Sequence, residues 1–453
     1  MNDPRRALPA VGTLLDLQGV QQLLENASRT LVTDAVRAVI EEARTMPSAA
    51  PRTDAAWTTA VVQRLAVAQI ASLRPVVNGT GVVLHTNLGR APLAAVALAA
   101  VQRVAAGFSN LEYNIDAGER GSRHTHCASL LSELTGAEDA MVVNNCAAAV
   151  VLALNTLADG KEAIISRGEL VEIGGSFRVP DIMTKSGARL VEVGTTNRTH
   201  ADDYRRALGP DSGVIVSVHR SNFTIDGFVS SVSVRDLAPL AAAAGVPLVH
   251  DFGSGLMLDL SPWGLSGEPT ARDAVADGAS IVLMSGDKLF GGPQAGIILG
   301  TRSMIAALRS NPLARALRVD KMTLAALEAT LTLYRDPARA VREIPALAML
   351  TATSASLTDR ATTISAALVA RGVAAAVAET EATVGGGAFP SARIASAAVA
   401  LGGPSASRTE AKLRAAPTPV IARVASGLVL VDLRGVAPAF DGELTALLIE
   451  ALA

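Results

Sequence analysis

The sequence has little cysteine and almost no net charge, and it lacks long apolar runs. Its two cysteines in 453 residues, Cys127 and Cys146, cannot build a disulfide framework and fit a reducing compartment. A formal net charge of −2 gives no global basic field that would indicate a nucleic-acid partner. The first residues lack the apolar stretch of a signal peptide, and alanine-rich runs such as Ala94–Ala100 are too short to span a bilayer. We therefore expect a cytoplasmic protein that has no membrane association.

The first 75 residues have the pattern of a small helical domain. Apolar residues recur at helical spacing over residues 11–45, and a further helix is predicted from about Thr53 to Leu73, ending before Pro75. This segment contains 8 Lys+Arg and 7 Asp+Glu, so its charge alone indicates no partner. The sequence predicts a helical N-terminal domain over residues 1–75.

Strand and helix signals alternate after residue 76. Strands are predicted at 140–143, 162–165, 189–193, 213–218, 247–250, 280–284 and 296–299, with helices reaching about 157, near 171–186, and at 234–244. Strands separated by helices predict an α/β fold, with a mostly parallel central sheet covered on both faces. We assign residues 76–335 to this core.

The rest of the chain predicts a smaller C-terminal α/β domain over residues 336–453. A long helix is expected to begin at Asn311-Pro312 and continue to about Tyr334. A second helical stretch follows residue 337 and reaches about Val369. Two short β segments, 419–424 and 428–433, are separated by a glycine-containing turn and predict a hairpin.

The segment Ser285–Gly296 carries a lysine in an unusual setting. A short buried strand, 281–284, leads into a loop with glycines at positions 286, 291, 292 and 296, and Lys288 lies within it. Lysine is usually a solvated surface residue. Between a buried strand and a glycine-rich loop, it is suited to form a Schiff base with a carbonyl cofactor. We predict that Lys288 carries pyridoxal phosphate.

Two further segments match the needs of that cofactor. Asp251 ends the strand before Lys288 and is placed to keep a pyridine nitrogen protonated; the alternative is a loop aspartate that binds nearby amides. The segment Asn144, Asn145, Cys146 and Ala147 opens a helix after strand 140–143, so that it can receive a phosphate; the alternative is an ordinary helix cap.

Arginines indicate a second anion site. Arg315 and Arg318 are spaced to lie on one face of the helix predicted from Asn311, in its first two turns, where cations oppose the helix dipole. An anionic partner is therefore expected, and pairing with a nearby acid is the alternative. Arg90 and Arg123 also lie in segments suited to close approach by an anion.

Other polar and glycine-rich segments receive plainer interpretations. His124, His126 and Cys127 have no second cluster at ligand spacing, so we expect no metal site. The Gly385–Gly387 run lacks the context of a phosphate-binding motif and is interpreted as a loop.

Six segments together resemble a known family, bacterial L-seryl-tRNA(Sec) selenium transferase, which consists of fold-type-I pyridoxal phosphate enzymes. They are Asn78–Gly81, His85–Arg90, Arg167–Arg178, Glu192–Arg198, Ser285–Gly296 and Arg315–Leu324. The resemblance extends from about residue 8 to the C-terminus and is strongest over residues 76–345. The segments 47–57 and 385–388 follow it poorly.

The resemblance implies roles for individual residues. Lys288 would form the internal aldimine with pyridoxal phosphate, Asp287 would belong to the same site, and Ser285 would contact the cofactor. The remaining site residues implied by the family would line the active site and handle the phosphate-like anion of the selenium donor: Arg90, Arg123, Arg315 and Arg318.

The resemblance also implies a reaction and an assembly. The protein would convert L-seryl-tRNA(Sec) to L-selenocysteinyl-tRNA(Sec) with selenophosphate, through an aminoacrylyl-tRNA intermediate. Residues 1–75 would bind the tRNA, and the assembly would be a homodecamer, a pentamer of dimers with sites at dimer interfaces. Two alternatives stay open: a tRNA-independent lyase acting on a small amino acid or amino sugar phosphate, and a non-catalytic tRNA-binding scaffold.

Overall fold

The N-terminal segment folds as a compact helical unit. A computed structural model describes residues 8–173 and 177–452, and the chain forms two compact units that divide between residues 75 and 76. The helices of the first unit are α1 (Val11–Leu15), α2 (Gln18–Leu23), α3 (Arg29–Thr45) and α4 (Asp54–Gln69). The side chains of Ser28 and Thr53 cap α3 and α4, and Val36, Trp57 and Val61 belong to one buried apolar cluster.

The second unit contains the strands and the remaining helices. Its strands are β1 (Val77–Gly79), β2 (Val82–Leu84), β3 (Tyr113–Asn114), β4 (Glu119–Arg120), β5 (Asp139–Val143), β6 (Glu162–Ser166), β7 (Glu172–Ile173), β8 (Phe177–Arg178), β9 (Arg189–Val193), β10 (Ser212–Val218), β11 (Leu248–Gly253), β12 (Ile281–Ser285), β13 (Gly296–Gly300), β14 (Ala375–Gly385), β15 (Ile394–Leu401), β16 (Val420–Ala425) and β17 (Leu428–Asp432). Its helices are α5 (Ala95–Ala105), α6 (Thr125–Thr135), α7 (Cys146–Ala158), α8 (Val179–Lys185), α9 (Ala201–Ala207), α10 (Val234–Ala244), α11 (Ala271–Ala276), α12 (Arg302–Ser310), α13 (Leu313–Ala316), α14 (Lys321–Leu333), α15 (Pro337–Glu343), α16 (Pro345–Thr351), α17 (Ser354–Val369), α18 (Ala406–Arg414) and α19 (Asp441–Leu452).

A seven-stranded sheet forms the centre of this unit, in the order β5-β13-β12-β11-β10-β6-β9. The pairs from β12 to β9 are parallel, and β13 alone runs against its neighbours. Successive residues of β5 enter two different apolar clusters, Ala140 and Val142 on one face and Met141 and Val143 on the other. The sheet is therefore buried on both faces, which confirms the mostly parallel α/β fold predicted from the sequence.

The second sheet has six strands in the order β1-β16-β17-β15-β14-β2. Its C-terminal part includes the predicted hairpin, which is confirmed as the antiparallel pair β16 and β17. Both edges are supplied by the segment 77–84, because β1 pairs with β16 and β2 pairs with β14. The sheet therefore combines the start of the proposed core with the proposed C-terminal domain.

Some predicted helices are shorter than expected. The prediction of one long helix from Asn311 to Tyr334 is wrong, because α13 ends at Ala316 and α14 begins at Lys321. Between them the Asn144 amide donates to the Leu317 carbonyl, and the Asp320 carboxylate caps α14. Arg318 therefore lies beyond α13, so it does not share a helix face with Arg315.

Two other helical predictions also change in extent. In the 171–186 segment, α8 begins at Val179, where Pro180 favours a first turn, and β7 and β8 precede it. Residues 174–176, which belong both to this prediction and to the Arg167–Arg178 motif, lie outside the described residues. The stretch from 337 to 369 forms three helices, and Pro345 opens the second. Within the described ranges, no helix combines the length and apolar composition needed to cross a membrane.

We expect Asp432→Ala to lower the free energy of unfolding by about 3 kcal/mol, because the buried hydroxyl of Ser396 and the partly buried hydroxyl of Thr380 would lose their acceptor. The Asp432 side chain is fully buried and accepts hydrogen bonds from Thr380 Oγ1 and Ser396 Oγ, each at 2.6 Å. Urea unfolding followed by circular dichroism measures the loss. Asp359→Ala, at an exposed position of α17, is the matched control, and equal losses in both variants would contradict the prediction.

Candidate active site

Lys288 lies just beyond the end of β12, in a loop that is closed by backbone hydrogen bonds. Only 3% of the Lys288 surface is exposed to solvent. The Gly286 amide donates to the Ala295 carbonyl, and the Gly291 amide donates to the Lys288 carbonyl. A Cβ at position 286 would lie 2.5 Å from the Pro293 carbonyl oxygen, so this loop requires glycine there. The loop thus holds a lysine amine inside the protein.

Asp251 is carried by β11, the parallel neighbour of β12. It is 8% exposed, and burial raises the pKa of its carboxyl to about 6, although the positive charge of Lys288 acts in the opposite direction. Cys146 Sγ lies 3.6 Å from Asp251 Oδ1, and burial followed by the Asp251 charge raises the pKa of this thiol. Lys288 and Asp251 are therefore brought together at the carboxyl edge of the sheet.

The segment after β5 begins α7 beside these two residues. Asn145 caps the helix, with its Oδ1 accepting from the Ala148 amide at 2.8 Å. A Cβ at Gly296 would lie 2.1 Å from the Asn145 carbonyl oxygen, so glycine at 296 allows this segment to approach β13 closely. The amides at the start of α7 provide hydrogen-bond donors suited to an anion.

Arg90 enters the site on a strained backbone. Its φ is 61°, in the left-handed region that non-glycine residues rarely adopt. Arg90 Nη1 lies 2.8 Å from Asp287 Oδ2, and the Ala91 amide donates to the Asp287 carbonyl at 3.3 Å. Asp287 therefore fixes both the side chain and the turn that presents it.

A cavity of about 260 Å³ joins most of the residues predicted from the sequence. It is lined by Arg90, Asn145, Cys146, Ala147, Val150, Asp251, Gly253, Ser285, Asp287, Lys288 and Gln294. Asn144 is absent from this lining, and its amide is bonded to Leu317.

The other predicted arginines lie outside the cavity lining. Arg123 Nη2 is 2.7 Å from Glu112 Oε1, and Arg318 Nη1 is 3.6 Å from the same oxygen. The hydrogen bond from Arg123, followed by the charges of both arginines, lowers the pKa of the Glu112 carboxyl against the effect of its partial burial. Arg315 is exposed at the end of α13. For Arg318, pairing with a nearby acid is thus observed.

Several residues close to Lys288 were missed in the sequence. Ser221 and Asn222 follow β10, and a Cβ built on Gly387 would lie 3.5 Å from Ser221 Oγ, 3.6 Å from Asn222 Cβ and 3.7 Å from Lys288 Nζ. The polar residues that follow the predicted strand 213–218 could have indicated Ser221 and Asn222 as site residues, because the carboxyl ends of parallel strands lie at one edge of the sheet. Gly387 is distant from Lys288 in the sequence, so no local pattern predicts that the two residues lie close together.

Comparison with known proteins identifies the family. A sequence profile described as L-seryl-tRNA selenium transferase matches residues 76–437, and one described as selenocysteine synthase N terminal matches residues 5–44. The chain belongs to the L-seryl-tRNA selenium transferase family. The resemblance seen in the sequence is confirmed.

Relatives in this family are similar over most of their length. An L-seryl-tRNA(Sec) selenium transferase of Moorella thermoacetica is 51% identical over 388 residues, which cover 84% of this chain and 82% of the relative. One from Methylocella silvestris is 48% identical and covers 95% and 94% of the two chains. A solved structure of D-glucosaminate-6-phosphate ammonia-lyase has a TM-score of 0.60 at 24% identity, covering 84% of this chain and 96% of that one, and it shows the shared fold.

We expect Asp251→Asn to stabilise the cofactor-free protein at pH 8 and not at pH 4. The folded pKa of about 6 lies above the ordinary value of 3.8, so the buried charge costs stability above pH 6, and this cost disappears as the pH falls toward 3.8. The gain is at most about 3 kcal/mol. Thermal unfolding between pH 4 and 8 measures it.

Asp259→Asn is the control for this pH dependence. Hydrogen bonds from Ser261 lower the pKa of exposed Asp259, so this variant should lose stability at pH 8. A gain of stability at pH 8 in both variants, or a pH-independent gain of stability in Asp251→Asn, would contradict the raised pKa of Asp251.

Proposed function

We propose that this protein converts L-seryl-tRNA(Sec) to L-selenocysteinyl-tRNA(Sec), using pyridoxal phosphate bound at Lys288 and selenium from selenophosphate. Membership of the family supports the reaction. The observation that carries the proposal is a nearly buried lysine that shares one cavity with a buried carboxylate and a helix N-terminus. These three groups match the aldehyde, ring nitrogen and phosphate of the cofactor.

The residues of the cavity fit that cofactor in space as well as in chemistry. Gly253 has no side chain, and a Cβ there would lie 3.7 Å from Lys288 Nζ. A Cβ at Gly253 would also lie 3.7 Å from Asp251 Oδ1. Gly253 therefore leaves space next to both reactive groups, which a planar ring needs.

Each residue has a role that follows from its position. Pyridoxal phosphate, when bound, supplies an electron sink for negative charge at the α carbon of the substrate. Lys288 Nζ would hold the aldehyde carbon, and its amine is placed to move the proton of that α carbon. Asp251 would hold a proton at the ring nitrogen, and the amides of Cys146 and Ala147 would hold the phosphate at the start of α7.

Arg90 is the arginine placed to bind the selenium donor, since it lines the cavity. Its guanidinium already contacts Asp287, so an incoming anion shares or replaces that contact. Arg123, Arg315 and Arg318 extend the positive charge outside the lining, and Glu112 orients two of them. Together they would neutralise the charge on selenophosphate.

We assign tRNA binding to the helical unit of residues 1–75, part of which matches the N-terminal profile of the family. With 8 basic and 7 acidic residues, this unit has almost no net charge to attract RNA. Binding would therefore depend on the shape of the RNA, or on contacts summed over several subunits. A homodecamer built from dimers would supply that summation. The proposed location is the cytoplasm.

Lys288→Ala should abolish both the visible absorbance of the bound cofactor and the conversion of serine on tRNA(Sec), because the amine that binds the aldehyde is lost. Absorbance spectra and analysis of the aminoacyl group measure the two effects. Lys185→Ala, at an exposed position in the last turn of α8, is the control and should behave as wild type. A yellow, active Lys288→Ala protein would overturn the proposal.

Wild-type protein should bind tRNA(Sec) in preference to tRNA(Ser) and then convert the attached serine. Gel-shift titrations at fixed salt, followed by a conversion assay with selenophosphate, test both steps. Binding to neither tRNA would favour a small-molecule lyase. Binding without conversion would favour a tRNA-binding scaffold.

A further inference from the structure

The turn Gly385–Gly387, which begins at the last residue of β14, reaches the amine of Lys288. Its three glycines have φ values of 75°, 63° and 72°, all in the left-handed region. A Cβ at Gly387 would lie 3.7 Å from Lys288 Nζ and 3.5 Å from Ser221 Oγ. The Cα of Gly387 is therefore part of the surface that surrounds the reactive amine.

The three glycines share a left-handed φ, but the packing around them differs. A Cβ at Gly385 would lie 2.4 Å from Val82 Cγ1, and one at Gly386 would lie 2.9 Å from Leu84 Cβ, so packing against β2 excludes side chains at both. A Cβ at Gly387 would meet its neighbours only at ordinary van der Waals distances. Packing thus does not explain glycine at 387, where the left-handed φ of 72° is what favours glycine. The missing side chain also leaves free volume beside Lys288 Nζ.

The turn is fixed to the strand that carries Asp251. The Phe389 amide donates to Glu268 Oε1 at 2.8 Å, and the other oxygen of this buried carboxylate lies 3.1 Å from His219 Nε2. The His219 amide in turn donates to the Asp251 carbonyl at 2.8 Å. The residue after the turn, Phe389, is therefore linked to the strand that carries Asp251 through Glu268 and His219.

We propose that the Gly385–Gly387 turn is a specificity-determining wall of the active site, and that the bare Cα of Gly387 admits substrates whose α carbon carries, beside the reacting amine, a bulky ester in place of a free carboxylate. This proposal rests on the proposed function, because an aminoacyl-tRNA is such a substrate. A free amino acid ends at its carboxylate, whereas the aminoacyl ester continues into a ribose. The space beside Lys288 Nζ must then accept part of the ester group as well as the reacting amine.

Gly387→Ala tests the wall with two oxyamines of different size. Hydroxylamine and O-benzylhydroxylamine each form a C=N bond to the cofactor carbon and release the Lys288 amine, so that the cofactor leaves as its oxime. Wild type should react with both. In Gly387→Ala, the hydroxylamine rate should stay within about twofold of wild type and the benzyl probe should slow by about tenfold or more, since a single methyl group in a close-fitting pocket discriminates on this scale.

Gly427→Ala is the matched control for backbone strain. Gly427 has a φ of 76° in the β16–β17 turn, and a Cβ there would meet no atom within 4 Å. Both alanine variants should lose similar thermal stability, and both cofactor-free proteins should bind pyridoxal phosphate with wild-type affinity. Only Gly387→Ala should change the ratio of the two oxyamine rates.

Four results would overturn the proposal. They are rejection of the benzyl probe by wild type, equal slowing of both probes in Gly387→Ala, the same change of ratio in Gly427→Ala, and loss of cofactor affinity in Gly387→Ala, which would place Gly387 in the cofactor site. The proposed function is tested separately with seryl-tRNA(Sec). If wild type converts none, that function fails, while the oxyamine ratio still decides the role of the turn.

Discussion

An amine and a carboxylate, Lys288 and Asp251, are both withdrawn from water in one cavity, with exposed fractions of 3% and 8%. Burying an ionised group alone is costly, and attraction between opposite charges offsets only part of that cost. Here burial outweighs the attraction, because the pKa of Asp251 stays raised to about 6 beside Lys288. The fold has to hold the pair together, and it does so on neighbouring parallel strands, β11 and β12, whose separation the ladder fixes.

The same constraint explains what could be predicted from the sequence. Asp251 lies near the end of one short apolar strand and Lys288 just beyond the end of the next. Parallel strands place their carboxyl ends at one edge, so local patterns predict both residues and their proximity. The start of α7 is predicted in the same way, because the cap at Asn145 follows β5 directly. The fold class and the centre of the candidate site can thus be predicted, because both depend on short sequence patterns that the tertiary structure retains.

Other features depend on contacts that no local pattern contains. Helical spacing placed Arg315 and Arg318 on one face, but the backbone at 317 and 318 pairs with the end of β5, and Asp320 starts a new helix. The Asp320 cap was visible in the sequence; the pairing with β5 was not. The approach of Gly387 to Lys288 likewise spans 99 residues of chain and is produced by the second sheet. A tertiary contact outweighs a local propensity at 317 and 318, and at Gly387 it has no local counterpart.

That second sheet contributes to the candidate active site. Gly385 pairs with Leu84 in the parallel pair β14–β2, and the chain leaves β2 directly into the segment that ends at Arg90. The turn at Gly387 and the loop that carries Arg90 are therefore continuations of two strands in one pair. A register shift of one residue would move one of them by about 3.3 Å relative to the other. The bulky Val82 and Leu84 side chains against Gly385 and Gly386 oppose such a shift, so the packing at this edge sets the relative positions of Arg90 and Gly387 around Lys288.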